Sequence, residues 1–327
     1  MRRVLVTGGA GYVGSHCCKA FAGAGWDVVV FDNLSRGCRE AVKWGDLIEG
    51  DVADPEAIGA ALRRCRPDLV AHFAAYAYVG ESVARPDLYY KNNSLGSFAL
   101  LEQMRMAGIS SLIFSSTCAT YGLPVRTPID EDHPQVPISP YGWSKLLVER
   151  MLADYHNAYG FNSVSLRYFN AAGCDPDGEI GERHVPETHA IPLAIAAALG
   201  GAHFTVNGND FETFDGTAVR DYVHVADLAR AHVLAGEMIM RKGGVHAFNL
   251  GTGAGTSVLQ VMAAVERAVG RRAALSFGPR RPGDPPVLVA SSARAREAFG
   301  WTPALSRLDV IVETALAWMR SSRAGAP

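Results

Sequence analysis

A tyrosine and a lysine stand four positions apart, Tyr141 and Lys145, in the stretch "SPYGWSK" of this 327-residue chain. Ser139 is a suitable N-cap and Pro140 fits the first helical position, so the phenol and the ammonium fall one turn apart on one helix face. Leu147, Val148, Met151 and Leu152 are then expected to face the core, and Trp143 reads as packing. A free tyrosine titrates near pH 10, so action as a base at pH 7 needs a drop of about 3 units, or roughly 4 kcal/mol. One ammonium at about 6 Å, in an effective dielectric near 20, contributes roughly 3 kcal/mol. The lysine helps and does not suffice. Upstream, "FSSTCATYG" (114–122) offers Ser115, Ser116 and Thr117 at the end of an expected strand. One of these hydroxyls can hydrogen-bond an alcohol or the phenol; the same residues also suit a turn that satisfies its own backbone.

A second positive charge could come from a bound dinucleotide. "VTGGAGYVGSH" supplies Gly8, Gly11 and Gly14 in a GxxGxxG frame, directly after a β-branched run and opening a helix. A backbone must pass close to a pyrophosphate there, and the helix N-terminus offers it unpaired N–H groups. Asp32 ends the second expected strand, where a carboxylate accepts hydrogen bonds from ribose hydroxyls and repels a 2′-phosphate. Arg36 lies nearby and softens that bias without reversing it. The cofactor is expected to be NAD, whose oxidised ring would complete the acidification of the phenol.

The elements that must hold these groups alternate cleanly. Strand runs at 3–8, 27–32, 46–51, 69–75, 111–116 and 162–169 are separated by helical stretches at 12–22, 55–65, about 88–107 and from Pro140. That pattern predicts an α/β fold, a Rossmann-type doubly wound parallel sheet, with a smaller mixed α/β substrate domain. The expected division is 1–170 for the dinucleotide-binding domain, with 219–242 returning to it, and 171–327 for the substrate domain. Between them, 173–192 is rich in Gly, Pro and charge and reads as a long functional loop. His184 and His189 lie in it with no third ligand evident, so no metal is expected. At 48% hydrophobic, 20% charged and net charge −2, the composition carries no basic excess for nucleic acid. The apolar run from Ala190 lasts about a dozen residues, short of the roughly 20 a membrane span needs. Six cysteines without a CxxC pair suit a reducing cytoplasm.

Together the glycine frame, the hydroxyl and the Tyr–Lys pair resemble the extended short-chain dehydrogenase/reductase (NAD-dependent epimerase/dehydratase) family. Within it the chain is similar to the UDP-glucose 4-epimerases, through "GGAGYVGSH", "FDNLSRG", "HFAAYAYVGESV", "YYKNN", "FSSTCATYG", "SPYGWSK", "LRYFNAAG", "GTAVRDYVHV", "FNLGTG" and "RRPGD". The resemblance implies NAD contacts at Tyr12, Val13, Asp32, Asn33, Ser35, Asp51, Val52, Phe73, Ala74, Ala75, Asn92, Ser115 and Phe169, besides the glycines. It implies Tyr141 as base, Lys145 bridging nicotinamide ribose and phenol, and Thr117 as the hydroxyl beside the sugar. Nucleotide-sugar contacts fall on Asn170, His189, Ala190, Thr205, Asn207, Arg220, Tyr222, Arg281 and Asp284. Reversible C4 inversion of a UDP-hexose by a homodimer with tightly held NAD is the implied activity. "STCATYG" and "AYAYVGES" also resemble UDP-pentose (UDP-xylose/UDP-arabinose) 4-epimerases. A nucleotide-sugar dehydratase would need an acid–base pair after Thr117, where Cys118 and Ala119 stand. Ala77 occupies a position where the family often has lysine, which predicts weaker NAD retention.

Overall fold

The computed structural model describes residues 1–201, 203–281 and 283–324. The β-branched run after the N-terminus forms β1 (Arg3–Thr7), and the chain then alternates through α1 (Tyr12–Gly23), β2 (Asp27–Asp32), β3 (Asp46–Glu49), α2 (Pro55–Cys65) and β4 (Leu69–His72). Two short helices follow, α3 (Val79–Ala84) and α4 (Pro86–Tyr89), and lead into α5 (Gly96–Met106). The expected single helix over about 88–107 is interrupted by a π-helical turn at Tyr90–Leu95, a device that re-aims side chains at functional sites. Next come β5 (Ser111–Thr117), α6 (Pro140–Tyr159) and β6 (Asn162–Tyr168). Asp54 caps α2 through Glu56 and Ala57 N–H groups. Ser139 caps α6 through Gly142, and Gly160 ends it at φ 73°.

The remaining elements are β7 (Asn170–Ala172), α7 (Ala190–Ala198), β8 (Phe204–Asn207), β9 (Val219–Arg220), β10 (Tyr222–His224), α8 (Val225–Lys242), β11 (Val245–Leu250), β12 (Thr256–Ser257), α9 (Val258–Val269), β13 (Leu275–Gly278), β14 (Val287–Leu288), α10 (Ala293–Phe299) and α11 (Leu308–Ala324). The large sheet is parallel in the order β11-β6-β5-β4-β1-β2-β3. Strand order reverses beside β1, which opens a crevice at the carboxyl ends of β1 and β4. Chain return to the sheet runs past the expected 219–242, because β11 pairs with β6 along its whole length.

Both faces of the sheet are covered, as its continuous apolar strands require. One core packs Val4, Val6 and Ile113 against α1 and α8, through Phe21, Leu228 and Ile239. The other packs Leu5, Val70 and Leu112 against α2, α5 and α6, through Leu62, Leu100 and Leu152. A third core joins α7, α9 and α11 around Ile195, Val261, Ile311 and Trp318. The expected second segment, 171–327, therefore divides between the large sheet and this smaller body; its residues 202, 282 and 325–327 lie outside the described residues. On α6, Val148 and Leu152 are buried and Met151 is partly so, but Leu147 is 44% exposed and Trp143 46%. Leu146 takes the core place expected of Leu147. The buried face is the one Lys145 shares with Val148, Glu149 and Leu152, and Leu147 falls outside it.

Candidate active site

The glycine frame does what its spacing requires. Gly8 has φ +74°, and a Cβ there would stand 2.5 Å from the Ala74 nitrogen; one on Gly14 would stand 2.2 Å from the Gly8 carbonyl oxygen. Gly11 opens α1 with no side-chain cap, so the first-turn N–H groups face an anion site. An open cleft lies above, lined by Gly8, Gly11, Asp32, Asn33, Ser35, Val52, Phe73, Ala74, Ala75 and Asn92. Asp32 is raised from the usual carboxylate range by burial, which hydrogen bonds from Leu34 and Ala10 N–H oppose. Asp51 fixes Asn33 at 3.1 Å. These residues fit a dinucleotide: a close backbone cradle, a helix N-terminus and a carboxylate at the ribose end. Val13 packs into the core beneath. Tyr12 turns away from the cleft and donates to the Gly173 carbonyl at 2.5 Å, tying the frame to the 173–192 loop.

Tyr76 and Arg36 also line the cleft. The Arg36 guanidinium lies 4.9 Å over the Tyr76 ring and 5.5 Å over Tyr78, with Glu81 holding it at 2.6 Å. Arg36 thus brings a cation to the wall where Ala77 supplies none. Asn93, on the π-helical turn next to Asn92, brackets Tyr76 through both its N–H and its carbonyl and reaches Ser144 on α6. Its role was hidden because the turn's geometry leaves no period in the sequence.

Tyr141, Lys145, Thr117, Ser115 and Phe169 converge at the carboxyl ends of β5 and β6. The Thr117 side chain stands close enough to the Tyr141 phenol to favour its ionised form, while its Oγ1 accepts from the Ala119 N–H at 3.1 Å. Lys145 is 3% exposed and donates to the Ser115 carbonyl at 2.8 Å, with Nζ 4.8 Å over the Phe114 ring. The electrostatic expectation needs correcting here. Burial pushes the phenol up to about 12, with Thr117 drawing it back. Burial lowers Lys145 to about 7. Desolvation dominates both shifts, so the polypeptide alone holds a protonated phenol at neutral pH.

Beneath the pair lies a buried network that sequence reading missed. Arg167 on β6 grips Glu149 on α6 with two nitrogens, at 2.5 and 3.0 Å, and donates to Tyr121 at 2.9 Å. Ser116 donates to Glu149 at 2.5 Å, and Tyr121 donates to Asn249 on β11 at 2.7 Å. Glu149 lies four residues past Lys145 on the same helix, which was the one available signal.

On the far wall, Arg220 of β9 pairs with Asp284, and Asn170 and Tyr222 stand opposite each other on β7 and β10. Arg281 is exposed beside Asp284. His189 and Ala190 begin α7. Thr205 and Asn207 lie on β8, where the Thr205 hydroxyl is occupied by Ser276 at 3.0 Å. The structure therefore joins Arg220 to Asp284 and leaves Thr205 engaged elsewhere. Phe169 packs with Tyr121, Ile129, Ala290, Cys118 and Leu288. In the loop, His184 and His189 do have further neighbours, contrary to the sequence reading: the chain folds back so that Glu182 and Glu187 join them.

Comparison with known proteins agrees with this geometry. Residues 4–251 match the model of the NAD dependent epimerase/dehydratase family. A UDP-glucose 4-epimerase of Rhizobium leguminosarum bv. trifolii is 51% identical over 320 residues, covering 98% of each chain. The crystal structure of UDP-glucose 4-epimerase from Brucella ovis in complex with NAD superimposes with a TM-score of 0.94 at 51% identity, covering 97% of this chain and 98% of that one. That of Stenotrophomonas maltophila, with bound NAD and formylated UDP-arabinopyranose, gives 0.96 at 36% identity over 100% of both chains. The glycine cradle, the Tyr–Lys pair and these full-length likenesses lead to one conclusion: the chain belongs to the NAD-dependent epimerase/dehydratase family.

Proposed function

We propose that the protein inverts C4 of a UDP-hexose, interconverting UDP-glucose and UDP-galactose through a 4-keto sugar. The single observation that carries this reading is the Thr117 side chain set beside the Tyr141 phenol, with Cys118 and Ala119 rather than an acid–base pair following Thr117. NAD, when bound, supplies the hydride acceptor and donor, and its positive ring draws the phenol down. Tyr141 removes the 4-hydroxyl proton and later returns it. Thr117 aligns that hydroxyl, and Lys145 adds positive charge to the pocket. Arg220 and Arg281 neutralise the diphosphate and Asp284 holds ribose hydroxyls. Anchoring the nucleotide leaves the keto sugar free to turn and take hydride on its other face.

Incubation with UDP-galactose, UDP-N-acetylgalactosamine and UDP-xylose, separately, tests the substrate. Inversion of UDP-galactose is expected; inversion of the pentose alone overturns the hexose assignment. Tyr141→Phe should lower kcat by about 10²–10⁴-fold, and full retention of activity removes the assigned base.

The working unit is a homodimer. Leu95 and Phe98 on one side, and Trp143 and Leu147 on the other, are 44–61% exposed. Leu95 ends the π-helical turn that runs into α5, Phe98 lies on α5, and Trp143 and Leu147 lie on the adjacent α6, which Tyr155 and Glu102 join to α5 at 2.6 Å. An outward apolar stripe on two neighbouring helices suits a second copy of itself. All six cysteines are free, and no helix among the described residues is long and apolar enough to cross a membrane, in keeping with a cytoplasmic enzyme.

A further inference from the structure

We infer that Glu182, His184, Glu187 and His189 form a four-ligand site for a divalent transition metal, Zn²⁺ by its donor set, on the loop before α7. One ligand atom from each of the four lies within 4.8 Å of all the others. His184 Nδ1 is 3.0 Å from Glu182 Oε1 and 3.8 Å from Glu187 Oε1, and His189 Nδ1 turns to the same Glu182 oxygen. A tetrahedral zinc ion with bonds of about 2.0–2.1 Å has donor–donor edges of about 3.4 Å. The two His184 separations lie on either side of that value, while His189, in direct hydrogen-bond contact with Glu182, would have to draw back to admit the ion. Two imidazoles and two carboxylates also leave a bound Zn²⁺ with no net charge.

The donors are held from outside. Glu182 is only 5% exposed at its side chain, and its carbonyl accepts from Trp318 Nε1 at 3.1 Å. Glu187 Oε1 accepts from the N–H groups of Thr188 and His189 at 2.7 and 2.8 Å. Tyr12 and Tyr78 present ring edges to the His184 imidazole, at centroid distances of 6.0 and 5.7 Å. Supports of this kind orient metal ligands. The neighbouring acidic trio Asp175, Asp177 and Glu179 makes the contrast: Lys19 Nζ reaches all three at 2.7–2.8 Å and fills the place a cation would take. Among the described residues no lysine or arginine pairs with Glu182 or Glu187, whose partners are the two imidazoles themselves. With four protein ligands the site is closed, hence structural. It would clamp the loop whose end carries His189 and Ala190, and coordination through Nδ1 leaves the His189 Nε2–H free to donate.

The test uses the NAD-bound enzyme, freed of metal by a chelator and titrated with Zn²⁺ against a chromophoric indicator. One tightly bound ion per chain is expected, with a rise in melting temperature. Co²⁺ in its place should give the intense visible bands of tetrahedral coordination. His184→Gln and Glu182→Gln should each weaken zinc binding by at least about 100-fold, while the surface variant His203→Gln leaves it unchanged. Wild-type enzyme that takes up no stoichiometric zinc, or variants that bind it as tightly as wild type, would overturn the site. The readout is metal binding itself, so it is independent of the sugar reaction.

Discussion

Lys145 has one carbonyl and one ring face as its surroundings, too little to replace the water its ammonium gives up. Its affinity for a proton falls to about 7 in the folded protein, against about 10.4 in an unfolded chain. Between those values the unfolded chain binds more protons, so folding stability rises with pH across that window. The penalty is full below about pH 7 and gone above about pH 10.4. Lys145→Met should therefore raise the urea midpoint of cofactor-stripped protein at about pH 6. Repeating the titration near pH 9.5 should give a much smaller gain. The same variant should lose about 100-fold or more in kcat. A midpoint that falls at pH 6 would contradict the assigned cost of burial.

At the scale of elements, the Arg167–Glu149 pair pins α6 to β6 directly under the reacting groups. Arg167→Met leaves a buried carboxylate uncompensated and should destabilise the protein by about 3–5 kcal/mol in chemical denaturation. Adding Glu149→Leu should restore most of that loss, since an apolar pair of similar volume is often neutral. The sequence disclosed the neighbouring features unevenly, for a physical reason. Gly8, Gly11 and Gly14, and likewise Tyr141 and Lys145, owe their arrangement to spacing within one turn or one helix, so local periodicity exposes them. Tyr121 and Asn249 meet across 128 positions, and the Arg167–Glu149 grip needs the packed sheet to exist. Leu147 shows the same limit from the other side. Helical spacing allows either Leu146 or Leu147 inward, and only the buried face that Lys145 shares with Val148, Glu149 and Leu152 decides between them.

For the molecule as a whole, the exposed stripe on α5 and α6 should govern assembly. Combining Leu95→Lys with Phe98→Glu places opposed charges in an apolar seam, and light scattering on eluting protein should report monomers where the parent gives dimers. Melting temperature should change little, because both positions face outward; a parent that is already monomeric refutes the dimer. The placement of β11 also bears on biogenesis. The sheet's final rung is made of residues 245–250 and lies beside β6, and α8 covers α1 in the same core. A ribosome that has released only the first 170 residues therefore presents a sheet with one raw border and an uncovered oily flank. The nucleotide half cannot be harvested as a free-standing module by cutting the gene at that point, and nascent chains must await their later third before the scaffold seals.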